Sequence, residues 1–165
     1  MAYFGEPTYG LTKTLPGVSY SDAVGTVTEA LKSEGFGILT EIDVKATLKK
    51  KIDVEHRPYV ILGACNPPLA HKALTAEPAI GLLLPCNVVV TEDDDGNAVV
   101  SAINPAEMFA VIGRPEVEPI AAEVREKLKS HRILVAPSTF LPGPPASAVP
   151  APSPASSRPR AAETL

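Results

Sequence analysis

The chain of 165 residues has a formal net charge of −4 at pH 7, two cysteines and no tryptophan. An acidic chain without a basic stripe is poorly suited to a phosphate backbone, so we expect no nucleic-acid partner. The run of three lysines at residues 49–51 fits a solvated helix face or helix end.

The chain shows no sequence signal for a membrane. Residues 1–7 lack the charged start and apolar stretch of a secretory signal. The most apolar run, residues 80–90, is about half as long as a bilayer span requires and contains Pro85 and Asn87. We therefore expect a soluble, cytoplasmic protein with no membrane partner, in a compartment that keeps both cysteines reduced.

Composition divides the chain into two parts. Pro, Ala and Ser dominate residues 137–165, where large apolar side chains are few. Such a segment cannot bury enough surface to offset the entropy of ordering it, which predicts a disordered, polyproline-rich tail. Residues 1–136 are long enough to bury roughly two thirds of their unfolded surface as one domain without disulfides.

The first part of the domain alternates strands and short helices. Apolar and polar residues alternate over 9–15, which predicts a strand. Ser19 is a favourable cap for a helix whose valines and leucine recur at helical spacing and which Gly35 ends. A second strand is predicted over 36–42, and a short amphipathic helix follows Asp43.

The middle of the domain contains its most apolar runs. Residues 59–64 indicate a buried central strand. Asn66, followed by two prolines, predicts the start of a helix over 67–75. Its inward residues are predicted to be Leu69, Ala70, Ala73 and Leu74. Residues 82–91 predict another strand, in which Pro85 implies an edge position or a bulge.

The last part of the domain adds one hairpin and two helices. Residues 93–97 form the predicted turn and 98–103 the returning strand. Asn104 repeats the cap signal before a short helix that reaches Gly113, and a final helix covers about 116–130. Five strands on one sheet with helices packed against it make an α+β fold in a single layered domain.

Three short segments carry a family resemblance. They read LGACNP at residues 62–67, GLLLPCNV at 81–88 and INP at 103–105. With these segments the chain resembles the bacterial and archaeal family catalogued as domain of unknown function 302, over roughly residues 10–128. The resemblance implies a compact α+β domain that associates as a homodimer. It implies no established activity, so it supplies no catalytic residue.

Cys65 stands at the end of a predicted buried strand, just before a capped helix. A helix start lowers the pKa of a nearby thiol and favours the reactive thiolate. Cys86 lies in the next strand, and His71 lies about one turn into the intervening helix. These three residues would supply the ligands of a soft metal or the thiols of a redox site.

Two other interpretations of the same residues stay open. Cysteine is often a small buried hydrophobe, and no C-x-x-C pair is present. The polar Asn66 and Asn87 beside the cysteines would instead line a pocket, although Asn66 also suits a helix cap. We predict a non-catalytic domain without a cofactor that binds a small ligand or a partner. Its candidate ligand-binding residues are Cys65, Asn66, His71, Cys86 and Asn87.

Overall fold

The structure is a computed structural model that describes residues 4–134 of the chain. Its strands are β1 (Gly10–Leu15), β2 (Gly37–Asp43), β3 (Tyr59–Cys65), β4 (Cys86–Glu92) and β5 (Ala98–Ile103). Its α-helices are α1 (Tyr20–Ser33), α2 (Val44–Ile52), α3 (Pro67–Ala76), α4 (Pro105–Ala110), α5 (Glu118–Leu128) and α6 (His131–Leu134). The predicted tail, residues 137–165, lies outside the described residues.

The five strands form one antiparallel sheet in the order β1-β5-β4-β3-β2. Alternate residues of the inner strands face a layer of helices and are buried there: Val60, Leu62, Ala64, Cys86, Val88, Val90, Ala98, Val100 and Ala102. Buried residues of α1, α3, α5 and α6 complete this main core. The predicted α+β class and layered arrangement are confirmed.

Four helices begin where a polar side chain caps them. The capping oxygens accept hydrogen bonds from the first turn in four pairs: Ser19 from Asp22, Asp43 from Ala46, Asn66 from Leu69 and Asn104 from Ala106. A cap satisfies a backbone N–H group that has no partner within the helix. The predicted starts of α1 to α4 are therefore confirmed.

The prediction of a strand over 82–91 is wrong at its beginning. Residues Pro78–Leu83 form a 3₁₀-helix, and β4 begins only at Cys86, after a cis Leu84–Pro85 peptide bond. Proline has no N–H group for a strand ladder, so it stands before β4 rather than inside it. Three consecutive leucines are consistent with either a strand or a helical segment, and periodicity alone does not separate them.

The inference of an edge or a bulge at Pro85 is also wrong. β4 is an inner strand that pairs with both β3 and β5. Its pairing with β3 runs without a shift from Tyr59 opposite Thr91 to Ala64 opposite Cys86. The irregularity lies instead in edge strand β2, where the register shifts between Ile38 and Thr40.

Smaller differences concern the helices. Leu74 was predicted to face inward, but it is exposed, and Ala70 is only partly buried. The short helix predicted to reach Gly113 ends at Ala110. A 3₁₀ turn, Pro115–Val117, precedes α5 and shortens the last predicted helix at its start. Proline in the first turn of α5 agrees with the position predicted for Pro119.

A second, smaller apolar cluster lies beside the main core. It joins α3, the 3₁₀-helix Pro78–Leu83, α4, the 3₁₀ turn before α5, and α5 itself, through Ala73, Ile80, Phe109, Val117 and Ala121 respectively. This cluster fixes α4 against α5, because the aromatic ring of Phe109 is buried in it. Within residues 4–134, no helix is both long and apolar enough to cross a bilayer.

Gly63 in β3 has no room for a side chain. It pairs with Thr40 on one side and Asn87 on the other. A Cβ atom at Gly63 would overlap the Thr40 side chain and lie 2.8 Å from the ring of Pro85. The close approach of Thr40 and Pro85 therefore requires glycine here.

We expect Gly63→Ala to lower the free energy of unfolding by about 1–3 kcal/mol, because the added methyl group forces its neighbours apart. The matched control is Gly25→Ala at an exposed position of α1, where an added Cβ meets no atom within 4 Å. This control should raise the free energy of unfolding by about 0.5–1 kcal/mol. Urea denaturation measures both changes. A Gly63→Ala variant as stable as wild type would contradict the account.

Candidate functional site

The ends of β3 and β4 bring the two cysteines to one place. Ala64 pairs with Cys86, so Cys65 lies one residue from that pair, directly before the Asn66 cap of α3. Cys65, Asn66 and Cys86 line one small cavity. The other residues of its wall are Phe36, Ala64, Leu69, Ala70, Ala73, Leu84, Phe109, Ile120 and Val124.

This thiol cavity is small and apolar. Its volume is about 20 Å³, which is enough for roughly one water molecule. Its wall consists almost wholly of apolar side chains from the main core and the smaller cluster. In this structure the cavity is therefore too small for a metabolite.

Burial governs the chemistry of both thiols. It raises the pKa of Cys86 to about 11, and the neighbouring Cys65 contributes to the shift. Burial also raises the pKa of Cys65. The expectation that the helix start lowers the pKa of Cys65 is wrong, because burial disfavours the charged thiolate. Protonated thiols are weak nucleophiles and weak metal ligands at neutral pH.

The remaining two candidate residues lie elsewhere. His71 is exposed on α3 and does not line the thiol cavity. Asn87 is exposed too, and lines a shallow cleft with Tyr9 and Tyr59 on the other face of the sheet. Cys86 and Asn87 therefore line different spaces, as expected for neighbouring residues of a strand.

The alternative metal set does not assemble in this structure. Within residues 4–134, no group of three His, Cys, Asp or Glu side chains is arranged to hold a metal ion. His71 is exposed and does not line the cavity that both cysteines line, which explains the result.

Sequence reasoning missed a larger space between α4 and α5. We call it the α4–α5 groove, and its volume is about 330 Å³. It is lined by Ala106, Phe109, Ala110, Gly113, Arg114, Glu118, Ala121, Ala122, Arg125 and Glu126. Ala106 and Ala110 lie one helical turn apart on α4, and Ala121 and Ala122 are adjacent on α5, so neither helix fills the space between them. This repetition of alanine was the available sequence signal.

Phe109 lines both the groove and the thiol cavity. Its side chain is 4% exposed and packs in the smaller cluster. The ring therefore forms part of the wall of both spaces.

Two arginines lie along the groove and differ in their partners. Arg114 Nε lies 2.8 Å from Glu77 Oε2. Arg125 Nη1 lies 3.8 Å from Glu126 Oε1, beyond hydrogen-bond distance. Arg125 Nε is buried and has no hydrogen-bond partner among the described residues. Of the two cations, the Arg125 guanidinium therefore has the weaker contacts with protein acceptors.

Two comparisons with known proteins point to the same family. The model of the family described as domain of unknown function DUF302 matches residues 11–132. The crystal structure of an uncharacterized conserved DUF302 protein from Bacillus stearothermophilus is similar, with a TM-score of 0.69 and 28% sequence identity. The match covers 74% of this chain and 94% of that chain. A search of the curated proteins found no match.

The raised pKa of Cys86 predicts how stability changes with pH. The native thiol keeps its proton until about pH 11, whereas an unfolded cysteine loses it near 9.0. The contribution of this group is fully present below pH 9.0 and is lost as the pH rises through about 11. Relative to Cys86→Ala, wild type should lose roughly 2–3 kcal/mol over this range.

Urea denaturation of both proteins between these pH values measures the difference. Tyrosine and lysine side chains also change charge in this pH range. Both proteins contain the same ones, so their effects on the free energy of unfolding cancel in the difference. Cys65→Ala serves as a second comparison, because Cys65 is only partly buried. Parallel pH profiles of wild type and Cys86→Ala would contradict the assignment.

Proposed function

The chain belongs to the DUF302 family, and we propose that it is a non-catalytic binding domain that takes a small apolar ligand into the α4–α5 groove. The observation that carries this proposal is the groove itself. Its volume of about 330 Å³ lies within the range of small-molecule sites. Apolar floors with a few polar groups at the rim are typical of such sites.

The composition of the groove supports an apolar ligand. Ala106, Ala110 and Ala122 are exposed along it, and the buried Phe109 and Ala121 form its floor. Covering exposed apolar surface releases water and stabilises a complex by about 25 cal/mol for each Å². The thiol cavity offers no comparable volume, so we assign the ligand to the groove.

The thiols weigh against the alternative of a redox or metal-binding protein. A redox cysteine needs a lowered pKa and access to solvent. Burial raises the pKa of both Cys65 and Cys86, and Cys86 is buried. We interpret both cysteines as packing residues, and their free thiols suit the reducing cytoplasm that we propose as the location.

Exposed apolar residues support association as a homodimer. Leu39 and Ile42 in β2, Ile52 at the end of α2 and Val54 just after it are between 45% and 65% exposed, and we call them the β2 patch. β2 is an edge strand, and α2, which contacts it, contains no buried residue. Apolar side chains beside an unpaired strand edge are typical of a surface that a partner covers.

Filling the groove should block binding. We expect Ala122→Phe to weaken the binding of Nile red, a neutral apolar dye, by about tenfold or more, because the ring occupies the space of the ligand. Dye fluorescence during titration measures the affinity. The control is Ala46→Phe, the same change at an exposed position of α2 outside the groove. If both variants lost affinity for Nile red equally, or if neither lost it, the proposed site would be contradicted.

Charges in the β2 patch should separate the dimer. We expect Leu39→Lys combined with Ile52→Lys to raise the dimer dissociation constant by about a hundredfold. Both subunits of a symmetric dimer bring the new charges into the same interface. Sedimentation velocity measures the association. Leu82→Lys is the control, since Leu82 is 89% exposed and lies outside the patch. A monomeric wild-type protein, or a variant that still dimerises, would contradict this assignment.

A further inference from the structure

We infer that the ligand of the α4–α5 groove is an amphiphilic monocarboxylate, with its apolar chain on the alanine floor and its carboxylate at Arg125. The inference rests on the proposed function, because it names the ligand class for the same groove. Two observations carry it: an apolar floor and a guanidinium that lacks a close acceptor at one end.

Arg125 is available to a ligand. Its Nη1 atom lies 3.8 Å from Glu126 Oε1, and the Glu126 side chain is largely exposed. Its Nε atom is covered by protein atoms yet donates to none of the described residues. A buried donor without an acceptor costs free energy, which a turn of the side chain toward a ligand oxygen would recover. A carboxylate matches the guanidinium fork with both of its oxygens.

Arg114 is not available in the same way. Its Nε atom lies 2.8 Å from Glu77 Oε2, and the Glu77 side chain is mostly buried. The other oxygen of Glu77 accepts a hydrogen bond from the backbone N–H of Ala79. This pair connects the 3₁₀-helix to the loop before α5, so Arg114 has a structural partner. The anionic head group is therefore assigned to the Arg125 end.

The positions along α5 give the ligand a direction. Glu118 and Glu126 are eight residues apart, which corresponds to about 12 Å of helix. Arg125 lies near the second of these, and Ala121 and Ala122 lie between them. Glu118 would repel a negative charge at its end, whereas at the other end Arg125 offsets the charge of Glu126. A chain with one carboxylate and an apolar remainder thus fits better than a dicarboxylate of similar length.

Decanoate tests the inference directly, with decanol and decylammonium as neutral and cationic probes of equal chain length. Calorimetry and displacement of Nile red measure their affinities for the full chain. We expect decanoate to bind about tenfold more tightly than decanol, and decylammonium to bind most weakly. Arg125→Gln should remove the preference for decanoate, and Arg125→Lys should retain part of it.

Lys127→Gln is the matched control, because it removes the same charge from the same turn of α5 but does not line the groove. It should keep the preference, and thermal melting of each variant checks the fold. Equal affinity for decanoate and decanol, unchanged by Arg125→Gln, would overturn the carboxylate assignment while leaving an apolar groove. Failure of Nile red and every decyl probe to bind would overturn the proposed function as well.

Discussion

The buried ring of Phe109 is the packing contact on which the interpretation of this domain depends. It anchors α4 in the smaller apolar cluster and forms part of the wall of both the thiol cavity and the α4–α5 groove. The small space beside the cysteines and the larger space bordered by the alanines of α4 and α5 both meet this ring. One side chain thereby borders both a structural region and a candidate binding site.

Burial decides the character of the two cysteines. Their position beside a helix start would favour thiolates if the local dipole dominated. Pro67 and Pro68 have no N–H group, and Asn66 accepts the hydrogen bond of Leu69, which leaves few free donors at this helix start. Desolvation then has the larger effect, and the pKa of both thiols rises.

Local signals predicted much of the fold. Caps at Ser19, Asn66 and Asn104 and the apolar alternation of the strands located most elements within a few residues. The sequence segments around Cys65 and Cys86 also indicated the correct family. The start of β4 was missed because the apolar run around Pro85 contains a 3₁₀-helix that alternation does not distinguish from a strand.

The candidate site was harder to predict, since it depends on how elements face one another. Asn87 was grouped with Cys86, although strand alternation places it on the opposite face of the sheet. The groove arises from alanines on two helices, and only the packing of α4 against α5 makes them one surface. Small residues in a sequence do not by themselves indicate a space.

The most direct test of the account is a nuclear magnetic resonance titration of protein labelled at the alanine methyl groups. On addition of Nile red, the methyl signals of Ala106, Ala110, Ala121 and Ala122 should shift together, while that of Ala46 should stay unchanged. Shifts confined to Ala64 and Ala73 would place the ligand in the thiol cavity. That result, or the absence of any shift, would contradict binding in the α4–α5 groove.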